Sequence, residues 1–468
     1  LHEHPVALRD RSTKLMVQGG GSKTMPILEQ TAEGSGALLA EASFTEEKRG
    51  EFTGLEALPL DRCAPYEGFH GQAIDGFHRD GMSGHVLEDV NPYTSEVVAR
   101  LKLASVADLD DAYAAAARAQ LDWADSGPSQ RSAVFLAAAE VMDKRHEEIV
   151  GWLIAESGST RMKAEAEWGF TRAGMLWAST LPARVAGRIL PIDVPGRESR
   201  VYRRPLGVVG VISPWNFPMY LSNRSIAPAL ALGNAAVVKP ADDTPITGGL
   251  LLAKIYEEAG LPAGLLNVVV GDVADIGDHF TLHPTPKLIS FTGSTRVGKR
   301  IGSLAMSGPY LKRIALELGG NSPLVVLDDA DLERAVSAAL FGRFFHQGQI
   351  CMSTNRIIVD KTLYDQFVEQ FVERARMLQF GDPNDPRTAI GPIINRRLLD
   401  GMQAKIALAR LAGIRQALGG PAEGLVLPPH VFLDVDNSSP LAQSELFGPI
   451  ALIIRADGEE EALRLANQ

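Results

Sequence analysis

Residues 205–305 constrain the fold more than any other part of this 468-residue chain. LGVVGVIS and AAVVKP are short, β-branched, continuously apolar runs, separated by a loop (PWNFPMY), a helical stretch near 221–232 and Gly233-Asn234. Runs of that kind are strands buried on both faces. A helix over about 247–259, stopped by Gly260-Leu261-Pro262, leads to LLNVVVG, another strand. KLISFTGSTRVGKRIGSLA is a further strand–glycine turn–helix unit. Strands alternating with helices of this length predict a parallel sheet with right-handed crossovers, the Rossmann-like arrangement. A second α/β region starts near Leu318 and runs to Gln468.

Ahead of this core, HVLEDVNPYTSEVVARLKLAS alternates around Asn91-Pro92, the pattern of a β-hairpin. Ser105 and Asp108 suit the N-terminus of an alanine-rich helix, and two more helices are expected over 130–157 and 162–180. Residues 185–204, with Pro191 and Pro195, read as a protruding β-hairpin arm. Unpaired strand edges there would be covered naturally by another subunit. Residues 1–75 show no sustained period and read as a weakly ordered extension, with order beginning near Ile74.

A chain of this length calls for two or three domains. Apolar content of 45% with 22% charged residues is that of a soluble globular protein. The net charge of -11 argues against nucleic acid or an anionic membrane as partner. Two cysteines, Cys63 and Cys351, make no disulfide framework, and no long apolar run or secretory leader is seen; a cytoplasmic setting is expected.

Cys351 closes the stretch LELGGNSPLVVLDDADLERAVSAALFGRFFHQGQICMS, which opens on Glu317 and two glycines. A thiol on a loop after a glycine turn, with a carboxylate on another Gly-flanked loop, suits covalent catalysis. Free cysteine is also among the most buried residue types and often only packs. Residues 291–298, FTGSTRVG, join a strand to a helix, where backbone N–H groups favour a pyrophosphate; the same turn can be structural only. Lys239 and Asp242 follow a strand at the edge where α/β sheets bind ligands, placed to meet ribose hydroxyls, unless Lys239 is simply a solvated surface lysine. Asn216, held between Pro214 and Pro218, offers an amide donor to an oxyanion or a cap to the next helix. His346, five residues before Cys351, would have to serve as base in a thiol hydrolase. The ten histidines show no metal-ligand spacing, so no metal site is expected.

Together PWNFP (214–218), VVKPAD (237–242), FTGSTRVG (291–298), LELGGNSP (316–323), FFHQGQICMS (344–353) and SELFGPI (444–450) make residues 76–468 resemble the NAD(P)-dependent aldehyde dehydrogenase superfamily. That resemblance implies an NAD(P)-binding domain from 76–184 and 205–317, an oligomerisation arm at 185–204 and a catalytic domain from 318–468. It implies Cys351 as nucleophile, Asn216 with the Cys351 N–H as oxyanion hole, and Glu317 as general base. It assigns Ser213, Pro214, Trp215, Lys239, Asp242, Gly293, Ser294, Gly298, Glu445 and Phe447 to the cofactor, NAD or NADP. Phe217 and Arg224 are assigned to the substrate pocket. The expected partner is a small aldehyde, in a homodimer or homotetramer. The wording NRSIAPALALGN is similar to benzaldehyde and vanillin dehydrogenases, whereas Arg224 also resembles semialdehyde dehydrogenases, in which a guanidinium meets a substrate carboxylate. Asp242 stands where Glu is commoner in the family, so NAD is the cofactor expected first, with NADP as the alternative. The chain ends inside a helix whose usual continuation completes the catalytic domain; an incomplete, inactive or purely binding relative is the reading of another class.

Overall fold

The computed structural model describes residues 64–468; the extension expected over 1–75 lies, as far as residue 63 and including Cys63, outside the described residues. Two sheets carry the architecture. The first is seven-stranded, in the order Arg313–Glu317, Pro286–Thr292, Val208–Ile212, Ala235–Lys239, Leu266–Val269, Gln72–Ile74, Phe77–Arg79. Its first five strands are mutually parallel and the last two antiparallel. The buried strand Gln72–Ile74 therefore belongs to the sheet although it falls inside the extension expected over 1–75. Its three residues were too few to show a period. The Gln72 side chain takes part as well, donating to Val270 O (2.9 Å) and accepting from Val270 N (2.9 Å).

The second sheet has the order Pro323–Val326, Arg356–Asp360, Ile450–Ala456, His430–Leu433, Arg415–Leu418, parallel except for the last pair. Apolar cores cover both of its faces, with Ile358, Phe432 and Ile454 on one and Ile357, Val359 and Ile453 on the other. Successive side chains in Arg356–Asp360 thus divide between two cores, as a period of two requires. Each fully buried aliphatic side chain contributes about 1.5–3 kcal/mol.

Helices flank the first sheet. Val106–Asp125 begins on a capping box between Ser105 and Asp108, worth about 1 kcal/mol, and packs its Leu109, Ala112 and Tyr113 face inward. The single long helix expected over 130–157 is instead two, Pro128–Lys144 and His146–Ser157. The chain breaks at Arg145, whose guanidinium meets Glu148 (2.8 Å) and Glu258 (2.7 Å). No proline or glycine marks that break, so the periodicity ran across it. Strands Arg188–Leu190 and Ser199–Val201 pair only with each other and form an exposed hairpin within the expected arm. Among the described residues no helix is long and apolar enough to cross a membrane.

One buried carboxylate stands out. Asp89 is 2% exposed and lies against the fully buried Glu156. Burial, then the charge of Glu156 beside it, pushes Asp89 up to about 10. Its unfolded value is about 3.9, so folding takes up a proton at neutral pH, and stability falls as pH rises from about 4 toward 10. Asp89→Asn should flatten that fall, read as urea midpoints between about pH 5 and pH 9; parallel slopes for the two proteins would contradict it.

Candidate active site

Parallel strands present their carboxyl ends at one edge, and four loops leave the first sheet there. Ser213–Phe217 follows Val208–Ile212, Lys239 ends its strand, Gly293 follows Pro286–Thr292, and Glu317 ends its own. From the second sheet come loops at the amino ends of strands: 318–322 before Pro323, 345–355 before Arg356, and 445–449 before Ile450. Between them lies a cleft of about 260 Å³, lined by Pro214, Trp215, Asn216, Gly293, Ser294, Glu317, Cys351, Glu445 and Phe447 among others.

Cys351 is exposed in this cleft, not packed in a core. The loop that presents it turns sharply after helix Leu332–Phe344. His346, Gln347 and Gly348 take consecutive left-handed conformations, at φ 50°, 56° and 73°. For the two non-glycine residues this costs on the order of 1–3 kcal/mol each, which the surroundings must offset. Gln347 Nε2 donates to Pro392 O (2.9 Å), Ile394 N donates to Gln349 Oε1 (3.1 Å), and Arg343 Nη2 donates to Gly348 O (2.9 Å). Arg343 is fully buried; burial pulls it down to about 9, so it stays charged at neutral pH.

Asn216 does not cap the helix that follows. Helix Pro218–Ala231 has Phe217 at its cap with no side-chain bond, whereas Asn216 Nδ2 donates to Gln349 O at 2.9 Å. The amide is thus tied to the cysteine loop. Glu317 has a largely exposed side chain with Arg224 Nη2 3.7 Å from its carboxylate, and its backbone O accepts from Gly293 N (3.0 Å). Glu445 Oε1 accepts from Gly320 N (3.2 Å), and a Cβ at Gly319 would collide with the same carboxylate. Trp215 and Phe447 meet edge-on at 5.5 Å. Ser294 caps helix Thr295–Ser307, whose amino end opens on the cleft, accepting from Val297 N (3.4 Å).

Not every expected residue reaches the cleft. Lys239 is nearly buried and pairs with Asp242 (2.8 Å), and Gly298 packs its helix on Leu318; Ser213 is buried and hydrogen-bonds Ser222 (2.6 Å). None of these lines the cavity. Phe217, expected in the substrate pocket, is buried beneath it with Leu221 and Ile350, its ring 4.4 Å from Lys163 Nζ. Lys163 and Glu167 form a fully buried ion pair, and Glu167 accepts from Tyr220 N (3.1 Å). Arg224 lines a neighbouring groove of about 400 Å³ with Phe170, Trp177 and Tyr220. Leu221, Leu318, Gly319 and Leu398 line the cleft without having been singled out. Gly319 had its signal in the LELGG motif, whereas Leu398 lies in a helix with no motif at all.

His346 is no base for Cys351. Among the described residues neither of its buried ring nitrogens hydrogen-bonds Cys351, and burial, then Lys163, holds the imidazole well below its usual range and neutral. Among the described residues two histidine–carboxylate groupings do form, Asp110/His279/His283 and His146/Glu147/Glu165, but neither lines the cleft. In the first, His283 Nδ1 accepts from Thr285 N, which leaves its proton on Nε2, the atom facing Asp110.

A side chain at position 348 would hold a left-handed turn against the Arg343 guanidinium and Gly448 O, the latter 2.5 Å from the new Cβ. Gly348→Ala should therefore lose about 2–4 kcal/mol in urea unfolding. A loss below about 0.5 kcal/mol would mean that the turn relaxes freely.

The aldehyde dehydrogenase family model matches residues 78–468. A vanillin dehydrogenase of Corynebacterium glutamicum is 52% identical over 396 residues, 84% of this chain and 81% of that protein. A benzaldehyde dehydrogenase of Bacillus subtilis is 46% identical over 403 residues, 86% and 83% of the two chains. The crystal structure of an NAD-dependent benzaldehyde dehydrogenase from Corynebacterium glutamicum superposes with a TM-score of 0.83 at 50% identity, covering 86% of each chain. With its exposed thiol, tethered amide and carboxylate gathered in one cleft, this chain belongs to the aldehyde dehydrogenase family.

Proposed function

We propose that the protein oxidises an aromatic aldehyde to the carboxylic acid with NAD as hydride acceptor. The observation that carries this reading is one cleft lined by Cys351, Asn216, Glu317, Glu445 and Phe447. The Cys351 thiolate adds to the carbonyl carbon, and the Asn216 amide and the Cys351 N–H donate to the alkoxide that forms. Loss of hydride from that carbon leaves a thioester on Cys351. Glu317 then takes a proton from the water that opens it, releasing the acid and the thiol. NAD, when bound, supplies the hydride acceptor.

The residues present fit such a dinucleotide. The amino end of helix Thr295–Ser307 suits its pyrophosphate, and Gly293 and Gly298 let that turn lie close on Phe291 and Leu318. The nearly buried Lys239 amine and the Asp242 carboxylate, 2.8 Å apart, offer a donor and an acceptor to vicinal hydroxyls. Asp242 would repel a 2′-phosphate, which favours NAD over NADP. Glu445 and Phe447 would hold the nicotinamide end, Trp215 lying against Phe447.

The relatives named above act on benzaldehyde and vanillin by their descriptions, and the groove beside Glu317 is walled by Phe170, Trp177 and Tyr220. Arg224 already faces the Glu317 carboxylate, which weakens the semialdehyde alternative. The exposed arm, with Ile189 and Tyr202 outward, would be covered in a homodimer or homotetramer.

NADH formation from benzaldehyde, vanillin and succinic semialdehyde, with NAD and NADP in parallel, tests the reading. The aromatic aldehydes should be turned over with a kcat/KM at least about 10-fold above that of the semialdehyde, a gap of about 1.4 kcal/mol; a reversed order would overturn it. Glu317→Gln should keep a burst of NADH near one per active site while steady-state turnover falls about 100-fold or more. Unaltered turnover in that variant would remove Glu317 from the base role.

A further inference from the structure

Arg343 is fully buried beside the cleft. Among the described residues it meets no carboxylate within salt-bridge distance, and its four hydrogen bonds all go to segments that carry the cleft's chemistry. Nη2 donates to Gly348 O and Leu446 O, and Nη1 donates to Thr354 O and Asn355 Oδ1, each at 2.9 Å. Gly348 and Thr354 lie three residues either side of Cys351, and Leu446 stands between Glu445 and Phe447. Asn355 closes the circuit. Its Oδ1 also accepts from Leu446 N (3.0 Å), and its Nδ2 donates to Gly320 O (3.2 Å), three residues after Glu317. Gly320 N in turn donates to Glu445 Oε1.

The Leu446 peptide is therefore gripped from both sides, its O by Arg343 and its N–H by Asn355. The cysteine loop has other anchors, namely Gln347 to Gly158 and Pro392, Gln349 to Ile394, and Asn216 to Gln349. Losing the clamp would thus free residues 445–447 more than it frees the sulfur. We propose that Arg343 and Asn355 are positioning residues that set the distance between the Cys351 sulfur and the Glu445–Phe447 segment. The hydride-transfer geometry depends on that distance, and the inference rests on the dehydrogenase reading above. Lysine cannot replace Arg343, since one ammonium lacks the planar fork that reaches acceptors on both sides.

The test separates the nicotinamide-dependent step from thiol chemistry. Wild type, Arg343→Lys and Asn355→Ala are assayed for NADH formation from benzaldehyde. In parallel they are assayed for hydrolysis of 4-nitrophenyl acetate without cofactor. In the second reaction Cys351 forms the S–C bond, 4-nitrophenolate leaves, and water then releases acetate and the thiol. Both variants should lose about 30-fold or more in dehydrogenase kcat while ester hydrolysis falls by less than about threefold. Asn355→Ala decides the matter if Arg343→Lys does not fold. Equal losses in the two reactions, or an unchanged dehydrogenase kcat, overturn the clamp. A wild-type protein that hydrolyses the ester but forms no NADH overturns the dehydrogenase reading itself, and the clamp's role with it.

Discussion

Strand polarity is the constraint on which the site depends. Five parallel strands of the first sheet put every carboxyl-terminal loop at one edge, and that edge faces the amino-terminal loops of the second sheet. No loop has to be long for the two sets to meet. Cys351 lies five residues before its strand, Phe447 three before its own, and Glu317 ends one. Short tethers on rigid strands hold reacting groups more precisely than free loops do. Asn216 and Gln349, 133 positions apart, are bridged by one hydrogen bond because the two sheets have already brought them together.

That arrangement concentrates backbone polarity in a region sealed from water. The left-handed turn at 346–348 points carbonyls into the protein that no helix or strand can satisfy. A guanidinium is the side chain best shaped for the task, with five N–H groups in a fixed plane and no acceptor to satisfy in return. Burying its charge without a carboxylate is expensive, and the carbonyl dipoles of Gly348, Thr354 and Leu446 offset part of that cost. A carboxylate partner would neutralise Arg343 and draw it to one side. With two acceptors on each terminal nitrogen, it is held between the segments it joins. The Lys163–Glu167 pair shows the other solution, a charge matched within one helix, where a single local contact is enough.

How much of this could be read from residues alone followed the range of the signal. Buried strands at 208–212, 235–239 and 266–269 announced themselves through short valine-rich runs, and Ser105 marked its helix through a capping pattern four residues long. Cys351, Glu317 and Asn216 stood out because proline and glycine framed them. The break at Arg145 was not legible, since no proline or glycine marks it and one of that residue's ion contacts lies over a hundred residues away. Gln72–Ile74 was hidden because three residues carry no period. Phe217 was assigned to the pocket by its neighbours in the motif, and its burial against Leu221 and Ile350 depends on contacts far along the chain. Arg343 looked like an ordinary helical arginine, and only the fold shows what surrounds it.

The same logic explains why Asn216 spends one of its two amide hydrogens on Gln349 O. A free amide could rotate toward solvent and would have to be turned at the moment of reaction. Bound to the carbonyl two residues before Cys351, it keeps a fixed bearing relative to the cysteine loop, and under the proposed mechanism its remaining N–H would be oriented before any negative charge developed. Such prior orientation is the main source of electrostatic stabilisation in reactions through an oxyanion. It also couples the two groups: a shift of the cysteine loop carries the amide with it. The site is therefore better described as a single hydrogen-bonded unit spanning two sheets than as three residues that happen to share a cleft.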